Sequence, residues 1–175
     1  MNAHDFRRLL IKHINKDKGA FEKIYNFCSR KLISSAFLYL QDKDEALSVA
    51  DDILVKLYNE PEKYLEIKSP ADWLFISARN GALNILRKKN LQRRKETIIN
   101  FELPYNPIGE REEIFDYYEI LRQFARREQK LIVLKVDYGL SYREIANREG
   151  ITISQVKYAF KNIKTRMKRV LEVRK

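Results

Sequence analysis

Residues 140–170, LSYREIANREGITISQVKYAFKNIKTRMKRV, hold two helix-start signals in close succession. Ser141 is followed three positions later by Glu144, and Thr152 by Gln155. In such a capping box the hydroxyl accepts from the N3 amide while the longer side chain returns to the N-cap amide. Gly150 lies between the two starts, where a chain leaving a helix most often needs positive φ. The span is predicted to be a helix, a short turn and a second helix.

With Phe160 as the inward reference of the second helix, Val156, Ala159, Ile163, Met167 and Val170 fall on or beside the same face. The opposite face carries Ser154, Gln155, Tyr158, Lys161, Asn162, Thr165 and Arg166, with no acidic residue before Glu172. A helix-turn-helix places its second helix in the major groove, base-reading residues near the N-terminus and basic residues at phosphates. Gln and Asn suit adenine there, Lys guanine or phosphate. A plain solvated face is the alternative. Two capping boxes, a turn glycine and an acid-free face together favour DNA.

The rest of the chain is consistent with an all-α protein. Five glycines and four prolines in 175 residues are few for a β-fold rich in turns, and 45% hydrophobic residues suffice for real cores. Lys and Arg exceed Asp and Glu to give a formal net charge of +11, which favours a polyanionic partner. Charges interrupt the apolar residues of MNAHDFRRLLIKHINKDKG, so no signal peptide is read there, and no apolar run is long enough to span a bilayer. A cytoplasmic protein without membrane insertion is expected. Two histidines, His4 and His13, and one cysteine, Cys28, cannot assemble the usual zinc site or a disulfide, and no Gly-rich phosphate loop occurs. No catalytic residue, metal, cofactor or small-molecule substrate is predicted.

Helical periodicity divides into two blocks. In the first, Phe6, Leu9, Leu10 and Ile14 mark a short helix, and Phe21, Ile24, Tyr25, Cys28 and Leu32 share one face of the next. Asp42 or Asp44 can cap a third helix with Ala46, Val49, Ala50, Ile53, Leu54 and Leu57 inward. Ser69 and Pro70 then start a fourth, with Leu74, Ala78, Ala82 and Ile85 inward. Periodicity fails from about 90 to 115, where an acidic stretch with Pro104, Pro107 and Gly109 has a linker composition. The expected organisation is an N-terminal helical bundle at 1–90, a flexible linker at 91–112, and a four-helix domain with the helix-turn-helix at 113–175.

The fourth helix presents Arg79, Asn80, Arg87 and Lys88 away from Leu74 and Ala82, with aromatic residues at its start. Aromatics beside a basic track commonly hold unstacked bases. Trp73 itself is expected in the core, and the basic run is read as a nucleic-acid contact. Asp42, Asp44, Glu45, Asp51 and Asp52 form an acidic cluster, which invites a two-metal nuclease reading. However, Asp42 to Glu45 sit where helix N-termini favour carboxylates, and neighbours on a helix point about 100° apart. A protein-binding face is the better reading.

AFEKIY (20–25), DKDEALSVADDILVKLY (42–58), WLFISARNGALNILRKK (73–89) and LSYREIANREGITISQVKYAFKNIKTRM (140–167), in this order and spacing, resemble an extracytoplasmic-function sigma factor of the sigma-70 family. The resemblance implies a two-domain promoter-recognition subunit. Its first domain would bind core RNA polymerase at the β′ clamp helices through Asp51, Asp52, Leu54 and Lys56. The same domain would engage the melted minus-10 strand through Arg79, Asn80, Asn84, Arg87 and Lys88. Its second domain would read the minus-35 duplex through Ser154, Gln155, Lys157, Tyr158, Lys161, Asn162 and Thr165. The β flap and an anti-sigma factor are further partners that the resemblance implies. Leu47 and Ser48 stand where the family usually has an acidic pair, Asn84 where Asp is common, and Ala159 where Arg is frequent. A homodimeric helix-turn-helix repressor is the alternative, and a metal-dependent nuclease a distant third.

Overall fold

The computed structural model describes residues 1–95 and 112–172, and every regular element among them is helical. The chain divides into two compact units, Met1–Ile98 and Ile99–Lys175. Residues 96–111, which include most of the expected linker, lie outside the described residues.

The first unit comprises α1 (Ala3–Ile14), α2 (Ala20–Leu40), α3 (Lys43–Asn59), a short 3-10 helix (Pro61–Tyr64) and α4 (Pro70–Lys95). Each start has a local cause. Asn2 accepts from the Asp5 amide at 2.8 Å and Asp42 from the Glu45 amide at 3.0 Å. At α4 the Ser69 hydroxyl faces the Asp72 amide at 3.4 Å, and Pro70 follows as the first helical residue. α2 packs most extensively on α3 and α4. Its inward residues Ile24, Cys28, Leu32 and Phe37 meet Leu10 of α1, Ala46, Leu54 and Leu57 of α3, and Leu74, Ala78 and Ala82 of α4 in the buried core. Tyr25, expected on that face, is instead 46% exposed. It stands one residue beyond Ile24, about 100° off the seam. α4 continues to Lys95, past the point where apolar periodicity is lost.

Burial pushes the Cys28 thiol up to about 12, so it is an inert core group. Trp73 is only half-buried, wedged between Phe6 (6.3 Å between ring centroids) and Tyr64 (5.2 Å, edge-on).

The second unit comprises α5 (Glu112–Arg122), α6 (Arg126–Val136), α7 (Tyr142–Glu149) and α8 (Ile153–Glu172). Its core gathers Tyr118, Leu121, Phe124, Leu131, Leu134, Ile145, Val156, Phe160 and Ile163. Two polar ties sit inside it. The buried Gln129 amide donates to the Phe124 carbonyl at 2.9 Å, and the Tyr117 hydroxyl lies 2.8 Å from the Asp137 carboxylate. Both expected capping boxes form. Ser141 and Glu144 exchange bonds at 3.2 and 2.7 Å, and Thr152 and Gln155 at 3.2 and 2.8 Å. Gly150 turns the chain between them at φ 65°.

Candidate nucleic-acid and protein interfaces

α7 crosses into α8 through a turn whose geometry leaves one face of α8 open. Ser154, Gln155, Lys157, Tyr158, Lys161, Asn162 and Thr165 are all exposed, Tyr158 most at 68%. Val156, Phe160 and Ile163 are buried on the other side, and Phe160 stacks on Tyr142 at 5.0 Å. The seven candidates therefore share one surface. Arg166 does not join it. Its guanidinium pairs with Glu128 at 2.7 Å, donates to the Gln123 carbonyl at 2.9 Å and covers the Phe124 ring at 4.9 Å. It braces α8 against the turn between α5 and α6. The helical period places a residue on a face, but a partner distant in sequence decides what the side chain does there.

Beside this surface, a groove of about 530 Å³ runs between α6 and α8. Arg127, Glu128 and Leu131 form one wall, and Ser154, Gln155, Tyr158, Ala159 and Asn162 the other, with Ile151. The small Ala159 side chain lines the groove. Exposed Arg127, in the first turn of α6, adds a cation where the helix dipole favours anions. The sequence signal was there, as paired arginines at a helix start, but it lay outside the helix-turn-helix span.

On α4, Arg79, Asn80, Asn84, Arg87 and Lys88 are all exposed. Asn80, Asn84, Arg87 and Lys88 follow the helical period along one side, and the Arg87 guanidinium lies 3.5 Å from the Asn84 carbonyl. Lys89 turns inward to pair with Glu45 of α3. Ile76 and Leu91, 51% and 58% exposed, lie one turn before and after this polar track. Both were legible as period-matched apolar residues on an otherwise polar face.

On α3, Asp51, Asp52 and Lys56 are exposed, whereas Leu54 is 4% exposed and belongs to the core. Its placement on a docking face is thereby corrected: the position lies on the inward stripe with Ala50 and Leu57. Val55, one turn after Asp51 and 56% exposed, is the large apolar residue on the exposed side of α3 with Asp51, Asp52 and Lys56. Asp42 caps α3 and Glu45 pairs with Lys89, so the acidic residues do not converge. Among the described residues no group of three or more His, Cys, Asp or Glu side chains could hold a metal. None of the described helices is long and apolar enough to cross a membrane.

No protein-family model matches this sequence, and no curated protein does. Solved structures do match its fold. One is the sigma factor RpoE in complex with the anti-sigma factor NepR from Bartonella quintana, at 19% identity and a TM-score of 0.54, covering 90% of this chain and 99% of that one. The fold is that of a sigma factor. A second is CnrH in complex with the cytosolic domain of CnrY, at 16% identity and a TM-score of 0.52, covering 97% of this chain and 98% of that one.

Proposed function

We propose that the chain is a sigma factor of the extracytoplasmic-function type, a non-catalytic subunit that binds core RNA polymerase and directs promoter recognition, opening and initiation. The observation that carries this reading is the acid-free exposed face of α8 behind a doubly capped turn, in a chain with a sigma-factor fold.

The first unit supplies two of the three contacts. Asp51, Asp52, Val55 and Lys56 on α3 form the face for the β′ clamp helices. Ser48, exposed on the same helix, leaves that face less acidic than the family usually has it. Arg79, Asn80, Asn84, Arg87 and Lys88 on α4 hold the melted minus-10 strand, where backbone charge and stacking suit single strands. In the second unit, Ser154, Gln155, Lys157, Tyr158, Lys161, Asn162 and Thr165 enter the major groove of the minus-35 duplex. The stretch between the end of α4 at Lys95 and the start of α5 at Glu112 serves as the linker. The β flap is a further docking partner, and an anti-sigma factor, the kind of partner with which RpoE was solved, is the expected regulator. The protein acts in the cytoplasm and needs no metal or cofactor.

Transcription in vitro with purified bacterial core RNA polymerase on fragments of the source genome tests the proposal. Discrete start sites that appear only when the chain is added are expected. Operator-like duplex binding with no core association and no new starts would overturn it in favour of a repressor.

A further inference from the structure

The amide of Gln155 is committed before any DNA arrives. Its Oε1 accepts from the Thr152 backbone N–H at 2.8 Å and lies 3.1 Å from the Thr152 hydroxyl, whose oxygen accepts from the Gln155 N–H at 3.2 Å. The orientation is fixed by chemistry, because rotating the amide would bring its NH₂ against the Thr152 N–H, donor to donor. A carbonyl oxygen has two lone pairs, and here the cap uses both. What Gln155 offers outward from the N-terminal turn of α8 is Nε2 with two hydrogens and no acceptor.

We propose that Gln155 reads a guanine, through its amide donors alone, because the capping box has taken the acceptor that adenine recognition needs. The usual glutamine–adenine pair is bidentate: Nε2 donates to N7 while Oε1 accepts from the N6 amino group. With Oε1 occupied, adenine's amino group faces no acceptor. Guanine instead presents N7 and O6, two adjacent acceptors that the two amide hydrogens can satisfy. Asn162 lies on the same face two turns on and has no capping role, so its amide keeps the ordinary preference for adenine. The same carboxamide group is thus given two different readings by its position in the helix.

This inference rests on the reading of α8 as the duplex-binding helix. It is tested by titrating the full chain at low salt against short duplexes carrying each base in turn. The base pair read by Gln155 is the one whose preference Gln155→Ala abolishes. Guanine there is expected to bind about tenfold tighter than adenine, and 7-deazaguanine, which lacks the N7 acceptor, to weaken binding by the unmodified protein. Gln155→Glu keeps the cap but leaves only acceptors, so it should melt like the parent while shifting preference to cytosine, whose amino group donates. An adenine preference in the parent protein, or a Gln155→Glu variant that still selects guanine, overturns the inference. If Lys161→Ala weakens duplex binding while no base pair responds to Gln155, the inference alone fails. If neither Lys161→Ala nor Gln155→Ala changes duplex affinity, the assignment of α8 fails with it.

Discussion

At the scale of single residues, close approach and burial decide more than residue type. Gly81 is the clearest case. A Cβ built there would lie 2.7 Å from Cγ1 of Val49, a buried β-branched side chain of α3 with little freedom to turn away. Helix propensity alone favours alanine by about 1 kcal/mol, whereas overpacking a filled core costs ~1–3 kcal/mol. Gly81→Ala is therefore expected to lower stability in denaturant titrations, and Val49→Ala in the same chain to recover part of the loss. Strict additivity of the two changes would show that the contact is not the cause. Nothing in the sequence marks Gly81 as a contact between helices, since one-dimensional periodicity does not report interhelical distance. The same limit explains Leu54 and Arg166. Leu54 had the inward phase of α3, and its burial decides for that phase against the docking role that the family resemblance implied. Arg166 has the right phase for the outer face but is claimed by Glu128, thirty-eight residues earlier.

At the scale of the element, the caps were readable because their partners are three residues apart. Asp42, Ser69, Ser141 and Thr152 all start helices where the side-chain chemistry places them. The buried stripes were readable from the helical period, although Tyr25 is exposed and Phe21, Ile53 and Ile85 at the stripe edges are only half-buried. Ser141→Ala removes the hydroxyl at the start of α7 and is expected to cost about 1 kcal/mol, measured by thermal melting. The partner carboxylate gives this cap a pH dependence. Bonds from the Ser141 side chain and backbone hold the Glu144 carboxyl below its ordinary value. A carboxylate depressed in the folded state contributes stability above its unfolded pKa and loses it as pH falls through the folded one. The stability gap between the parent and Glu144→Gln should thus be widest near neutrality and close on acidification. A gap that stays constant down to pH 2 would mean that the ionised form is not what the cap stabilises.

At the scale of the whole molecule, the two units have separate cores, and the proposed function assigns their surfaces to different states of DNA. By that assignment α8 would offer amide, hydroxyl and ammonium groups to a major groove, which exists only in duplex. Under the same proposal the exposed Arg79 and the track of Asn80, Asn84, Arg87 and Lys88 on α4 would follow the backbone of an unpaired strand, with exposed Ile76 and Leu91 at either end of the track. Lys161→Ala should therefore weaken binding to closed duplex by ~1–3 kcal/mol if it reads a base, with a defect in opening only as a consequence. Arg79→Ala combined with Asn80→Ala should leave duplex affinity nearly unchanged yet suppress strand opening, read as permanganate reactivity of promoter thymines in the polymerase complex. A template with a pre-melted bubble separates the steps, because it restores a defect in opening more than a defect in capturing the opened strand. Equal loss of duplex affinity in both variants, with opening untouched, would assign both helices to one duplex-binding task. A repressor that never opens DNA would then account for the chain better than a sigma factor.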